Sequence, residues 1–357
     1  MKYEVRQADP ADGGKLLELI ESEAAKGDLE LIYTRRPNPV YSYQKESRSV
    51  SYGVIKDQSD QPAFMEVCIS RSYYINGNET PFTYVCGVRK KISDTNHAHF
   101  LKTALEYERR DKTAAYCSIL DANENAVNIF CRKPRVFFPE FSALCGYTTF
   151  LINPGALCAR IDNTYNFSAI GHDDLDTVCS FLESEGKKYE MFPVVRDLEE
   201  QFSGLMLSDC FALRKDGELA AFGALWDQRH YRQYIVKHYG GIYKYLRKAA
   251  HIFEKSGYIY LPPEGQTANV LTLTLLTAKG SDKTVYRELL SHLALEAIKR
   301  NCPIVVAGMS KNNRYYPLYK KLKSVSFDST IYLMKARENK IKLPEPNREV
   351  HLECGYL

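Results

Sequence analysis

Two stretches of the chain set basic and hydroxyl side chains where a strand-like run meets a helix-like run. They are CGVRKKISDTNHAH, residues 86–99, and TAKGSDKTVYREL, residues 277–289. Unpaired N–H groups and the helix dipole favour an anion at such a junction, so each is a candidate phosphate site. The second stretch carries Lys279, Gly280, Ser281, Lys283 and Thr284 against one acid, Asp282. The first has no glycine between Val88 and His99, and a side chain there holds a phosphate away from the backbone. Asn96 is a partial substitute, because asparagine tolerates the left-handed conformation. Arg89, Lys90 and Lys91 supply positive charge, whereas Asp94 repels a phosphate and Ser93, Asp94 and Thr95 read as helix caps. Metal chemistry is not indicated. His97 and His99 point apart on a helix, and His230 and His238 lack ligand spacing. The ten cysteines are scattered without a CxxC pair and read as buried reduced thiols. Asp227, Arg229, His230 and Arg232 cluster beside the single tryptophan, Trp226. A substrate-recognition strand is one reading of that cluster, and a solvated strand end around a buried Trp226 is the preferred one.

The elements that must position these residues belong to an ordinary globular chain. It has 357 residues, 45% hydrophobic and 26% charged, which suits two domains. No apolar run reaches the length of a membrane-spanning helix, and the first residues, MKYEVRQADPADGG, contain no apolar signal core. The cytoplasm is therefore the expected location, with no membrane partner. A net charge of +4 permits an anionic ligand without suggesting a nucleic-acid surface. The 26 tyrosines read as compositional drift rather than as a tyrosine-lined cleft.

Hydrophobic periodicity gives the same element order twice. Residues 3–9 read as a strand, followed by a helix with Leu16, Leu17, Leu19 and Ile20 on one face. Three strands with hairpin-like turns come next, then a helix over 98–110, the strand AAYCSIL, the turn DANENA, the short helix VNIFCRK and two strands near FSALCGYTTFLI. Residues 153–165 read as a linker opened by Pro154 and Gly155. The second copy runs through a strand, a helix, a hairpin at Asp216–Gly217 and the strand NVLTLTLLTAK to a long helix over 283–300. The strand PIVVAGM, the turn SKNNRYY, the helix PLYKKLK and a last strand complete it. This predicts units at 1–160 and 161–340. Residues 341–357 form an extended tail whose alternating Val350, Leu352 and Cys354 suggest an edge strand.

The doubled order resembles the GCN5-related N-acetyltransferase (GNAT) superfamily in tandem, over nearly the whole chain except the tail. The fold expected is α/β (α+β), two GNAT-like units each with a mixed, mostly antiparallel sheet flanked by helices. FALRKDGELAAFGAL resembles the family's second and third strands. ANENAVNIF resembles its later turn and helix through Asn123, Ala126 and Ile129, with Phe130 where tyrosine is common. NNRYYPLYKKL repeats that pattern through Asn312, Leu318 and Tyr319, with Tyr315 where alanine is common.

The resemblance implies that acetyl-coenzyme A lies between two splayed parallel strands, its pyrophosphate on the N–H groups at the start of the long helix. An amine, small or on a peptide, attacks the thioester directly. A strand N–H stabilises the oxyanion, and a tyrosine protonates the leaving thiolate. Tyr319 takes that acid role in the resemblance, with Asn312 beside the cofactor; the alternative for Tyr319 is core packing against Leu318 and Leu322. Asn123 holds coenzyme A or caps the short helix, and Glu66 is a candidate base. The family's loop pattern at the first junction is met only by Val88 and Ala98, and the second junction also departs from it. The second half is therefore the expected chemical centre. Two alternatives stand beside an acetyltransferase: a GNAT-like binding or scaffold protein with lost cofactor loops, and a tandem transferase using aminoacyl-tRNA, which needs a basic groove.

Overall fold

A computed structural model describes residues 5–22, 24, 28–47, 50–56, 61–91, 114–132, 140–159, 161, 164–248, 260–335, 344 and 348–357. The first-half strands are β1 (Val5–Arg6), β2 (Leu29–Thr34), β3 (Val50–Lys56), β4 (Pro62–Ile75), β5 (Asn78–Lys90), β6 (Ala114–Leu120) and β7 (Glu140–Ile152). The second half supplies β8 (Asn166–Ala169), β9 (Phe192–Pro193), β10 (Cys210–Lys215), β11 (Glu218–Trp226), β12 (Gln233–Tyr239), β13 (Val270–Ala278), β14 (Ile304–Ser310) and β15 (Ser324–Lys335). The helix expected at 98–110 and most of the loop before it lie outside the described residues.

All but β2 and β12 join one thirteen-stranded sheet in the order β1-β3-β4-β5-β6-β15-β7-β14-β13-β11-β10-β8, with β9 on β4. Most pairs are antiparallel, and the parallel ones are β5 with β6 and β13 with β14. The two halves exchange their last strands. The final strand of the second half, β15, lies beside β6, and β7 from the first half lies beside β14. β7 and β15 then pair with each other from Ser324–Ile152 to Lys335–Glu140.

Local sequence explains the turns. Asn76–Gly77 and Asp216–Gly217 join the long hairpins of the two halves with both residues at positive φ, the geometry those dipeptides favour. Asp282 caps the long helix Lys283–Lys299, accepting from the N–H groups of Thr284 and Val285. Asp9 and Asp12 form a capping box ahead of the helix Gly13–Glu21.

Strand alternation divides the core between the two sheet faces. On one face the helix Lys283–Lys299 buries Tyr286, Leu289, Leu293 and Ala297 against β11, β13 and β14. The other face carries the helices Gly13–Glu21, Pro39–Gln44 and Leu175–Gly186. Also on that face is the ribbon of β2 paired with β12, a two-stranded sheet built from both halves. The short helix Glu124–Val127 continues as a π-helical turn, and a single strand, β7, replaces the two expected near FSALCGYTTFLI. The tail does not form an edge strand among the described residues. Val350 makes one bridge to Glu190, and residues 350–356 are buried against the sheet.

Candidate functional site

The parallel strands of each half separate after three register positions. β5 and β6 pair at Phe82, Thr83 and Tyr84, and β13 and β14 at Val270, Leu271 and Thr272. Beside each opening the outer hairpin carries the same bulge. In the first half Met65 pairs with Arg89 and Val67 with Cys86; in the second Phe222 pairs with Thr277 and Ala224 with Thr274. The extra residue is Gly87 at φ +60° in one and Leu275 at φ +55° in the other. A bulge of this type takes a main-chain group out of the ladder and leaves it for another partner.

The two openings differ in what fills them. In the second half the Leu275 N–H donates to Glu353 Oε1 at 3.0 Å, and the Thr274 hydroxyl donates to Glu353 Oε2 at 2.6 Å. Ser310 on β14 donates to the Val350 carbonyl, and the Tyr147 hydroxyl to the Leu352 carbonyl at 3.1 Å. The segment 350–354 thus occupies the splay. In the first half Gly87 faces a cavity of about 380 Å³.

That cavity lies between the central sheet and the β2–β12 ribbon. Alternate residues of the exchanged strands floor it, among them Tyr147, Thr149 and Leu151 on β7 and Val325, Phe327 and Ser329 on β15. The floor also takes in Tyr84, Cys86, Gly87 and Arg89 on β5. Leu29, Leu31, Val236 and Leu261 make one end apolar, whereas Tyr33, Arg35, Tyr43 and Arg232 make the other polar. Seven tyrosines and three arginines line it, without an acidic or histidine side chain among the lining residues. A tyrosine-lined cleft, set aside in the sequence reading, therefore exists.

Buried charge organises the polar end. Arg35 pairs with Glu46, and Arg71 Nη2 lies 3.0 Å from Glu46 Oε2. Burial pushes the Glu46 carboxyl up, but Arg35, Arg232 and Arg71 outweigh it and hold it below its ordinary range. Arg35 also lies over the Tyr43 ring at 4.0 Å. Tyr84 is 6% exposed and its ring stacks on Tyr116 at 5.0 Å. Its hydroxyl makes no hydrogen bond among the described residues, and burial raises its pKa well above the ordinary value. Burial also pushes the cavity thiols up, Cys86 to about 12 and Cys354 to about 11, so neither is a thiolate near neutrality.

The residues singled out in the sequence fall in several places. Asn123 lines the cavity and caps Glu124–Val127, its side chain accepting from Ala126 N–H at 3.2 Å. Glu66 is buried on β4 opposite Gly53 and is not among the cavity-lining residues. Tyr319 is fully buried, stacked on Phe150, with its hydroxyl 2.8 Å from that of Tyr286. Asn312 binds the Arg348 carbonyl at 3.2 Å. At the second junction the Gly280 N–H donates to Glu185, Lys279 pairs with Glu218, and Ser281 shares a hydrogen bond with Tyr189. Lys283 and Thr284 are exposed at the helix start. A smaller cavity of about 370 Å³ adjoins Gly280 and Ser281, and its cations Lys188, Arg314 and Arg348 are each paired with a glutamate. The first junction beyond Lys91 lies outside the described residues. Tyr84, Gly87 and the Arg35–Glu46–Arg71 cluster carry no motif that marks them in the sequence; the step from Tyr84 to a glycine on a long strand is the available signal.

No protein-family model matches the chain, and no curated protein matches its sequence. Solved structures match over nearly its full length. N-myristoyltransferase of Saccharomyces cerevisiae with bound myristoyl-CoA superposes with a TM-score of 0.60 at 11% identity, covering 98% of this chain and 89% of that one. A GCN5-related N-acetyltransferase from Anabaena variabilis gives a TM-score of 0.51 at 7% identity, covering 93% and 72%. The fold is GNAT-like.

Proposed function

We propose that this GNAT-like chain transfers an acyl group from an acyl-coenzyme A thioester to an amine, with the donor in the first-half splay and the acceptor in the adjoining cavity. One observation carries the reading. The first-half bulge opens on a cavity, whereas the same position in the second half is taken by Glu353. This moves the proposed centre away from Gly280 and Tyr319, where N–H groups and hydroxyls already have protein partners. The binding-module alternative, whose mark is a cleft filled by side chains, fits the second half alone.

Bound coenzyme A supplies an activated thioester with a good leaving thiolate. The main chain at Gly87 is placed to donate to the oxyanion as the amine attacks. Its counterpart at Leu275 already donates to a carboxyl oxygen, that of Glu353, so the backbone geometry suits the task. Tyr84, held protonated by burial, gives its proton to the departing thiolate and recovers one through water from the attacking amine. An ammonium beside Arg35, Arg89 and Arg232 is disfavoured by like charge, so the acceptor enters as the neutral amine and sheds its proton to water. The raised thiols of Cys86 and Cys354 favour direct transfer over an acyl-cysteine intermediate.

The test is a panel of acetyl-, octanoyl- and myristoyl-coenzyme A with amine acceptors, read by thiol release. Activity that falls in Tyr84→Phe and survives in Tyr319→Phe supports the cavity. The reverse returns the centre to the second half, and no thiol release with any donor rejects acyl transfer.

A further inference from the structure

The helix Gly241–Lys248 follows β12 directly and closes the apolar end of the large cavity from outside. Tyr243 and Leu246 pack on Leu29, Val236, Tyr239 and Leu261, four residues that line that end. The opposite side of the helix has no such partner among the described residues. Ile242 is 65% exposed and Tyr245 is 70% exposed, and their i, i+3 spacing puts them on one face. At about 100° per residue the outward arc runs Lys244, Lys248, Tyr245, Ile242. Lys244 and Lys248 are exposed and form no ion pair among the described residues. Lys237 on β12 adds another exposed cation. The acids nearby are Asp28, whose carboxyl sits against Gly241, Glu264, which pairs with His238, and Glu30, which lies opposite His238 in the ribbon.

We infer that this helix docks the protein on an anionic lipid surface. Two apolar side chains beside two unpaired lysines make the pattern of an interfacial helix, in which the apolar tip enters the acyl boundary and the cations meet the headgroups. A second protein would be expected to answer the lysines with acids of its own, whereas an anionic bilayer meets both halves of the arc at once. The position gives the contact a consequence: a lipid-held substrate would arrive at the apolar end of the cavity. The inference needs no transfer chemistry and stands without it.

Sedimentation of the full chain with vesicles tests it, comparing phosphatidylcholine alone with a phosphatidylcholine–phosphatidylserine mixture. The wild type is expected to sediment with the mixed vesicles, weakly with phosphatidylcholine, and less as salt rises. Lys244→Ala with Lys248→Ala should lower partitioning by about thirtyfold. Ile242→Ser with Tyr245→Ser should lower it by about tenfold. Leu295→Ser with Ile298→Ser, an exposed pair on the helix Lys283–Lys299, should bind like the wild type. The substituted positions are exposed, so an unchanged melting temperature certifies folding. Failure of the wild type to sediment with mixed vesicles overturns the inference, as does undiminished binding by the lysine pair. A doubled mass in solution that Ile242→Ser with Tyr245→Ser abolishes overturns it in favour of a second copy.

Discussion

Gly87 and Leu275 occupy the same step of two related bulges, at φ +60° and +55°, yet only one of them is a glycine. The left-handed region costs a branched residue free energy, and Leu275 is held there among buried side chains with its N–H bound to Glu353. Gly87 has both conformational and steric reasons for its identity. A Cβ there would lie 2.6 Å from the Tyr43 hydroxyl and 3.1 Å from Val67 Cγ2. Gly87→Ala should therefore destabilise the fold by roughly 1–3 kcal/mol and depress turnover further. Chemical denaturation and thiol-release kinetics on the same preparation check this, and wild-type turnover in the variant would remove the bulge from the mechanism.

Tyr84→Phe keeps the ring that stacks on Tyr116 and removes the one hydroxyl at the last paired position. We expect kcat to fall by about a hundredfold with little change in KM, the size of effect usual for a lost general acid. The fold should be unaffected, because that hydroxyl makes no hydrogen bond among the described residues.

Glu46→Gln should cost roughly 3–5 kcal/mol, because Arg35 and Arg71 would stay buried without a counter-ion. The pH dependence has a definite direction. A carboxylate with a depressed folded pKa stabilises fully above its unfolded value, about 4, and the contribution is lost as pH falls through the folded one. The gap in melting temperature between wild type and Glu46→Gln should thus narrow under acid conditions and stay constant from pH 6 to 8. A gap that widens in acid would contradict the assignment.

Arginines without an acidic side chain at the cavity wall, against the single Glu46 behind Arg35, imply that transfer speeds up with pH, as the acceptor amine loses its proton. The apparent pKa in kcat/KM should lie below that of the free amine. Arg89→Gln, on the β5 rim, should raise it by about one unit. An unchanged profile in this variant would mean that another group sets the protonation state.

Titration of the protein with acyl-coenzyme A should give one site per chain, since segment 350–354 fills the second splay. A stoichiometry of two would show that this segment yields to the ligand.

Much of the scaffold was readable in advance. The Asp216–Gly217 turn and the long helix after Asp282 follow from periodicity and turn chemistry that act over a few residues. What escaped was long-range. The ribbon of β2 with β12 joins Leu31 to Val236 across two hundred positions, and no local pattern announces that pairing. Val350, Leu352 and Cys354 alternate as an edge strand would, yet they are buried in a gap that exists only because β13 and β14 diverge. The second junction looked like an anion site because its basic residues are adjacent in sequence. Glu218, which pairs with Lys279, and Glu185, which takes the Gly280 N–H, come from elsewhere in the chain. Glycine at 87 is visible as a letter, but its purpose appears only beside Tyr43.

The exchanged strands β7 and β15 bear on how the gene can be cut. A break between residues 160 and 164 would give one fragment ending in a strand that belongs beside β14 and another ending in a strand that belongs beside β6. Each piece alone would expose an unsatisfied ladder and a bare apolar surface, whereas mixed together each supplies the other's missing seam. The chain is in this respect a covalently tethered heterodimer, and co-expression of the two pieces should recover a soluble complex that neither yields alone.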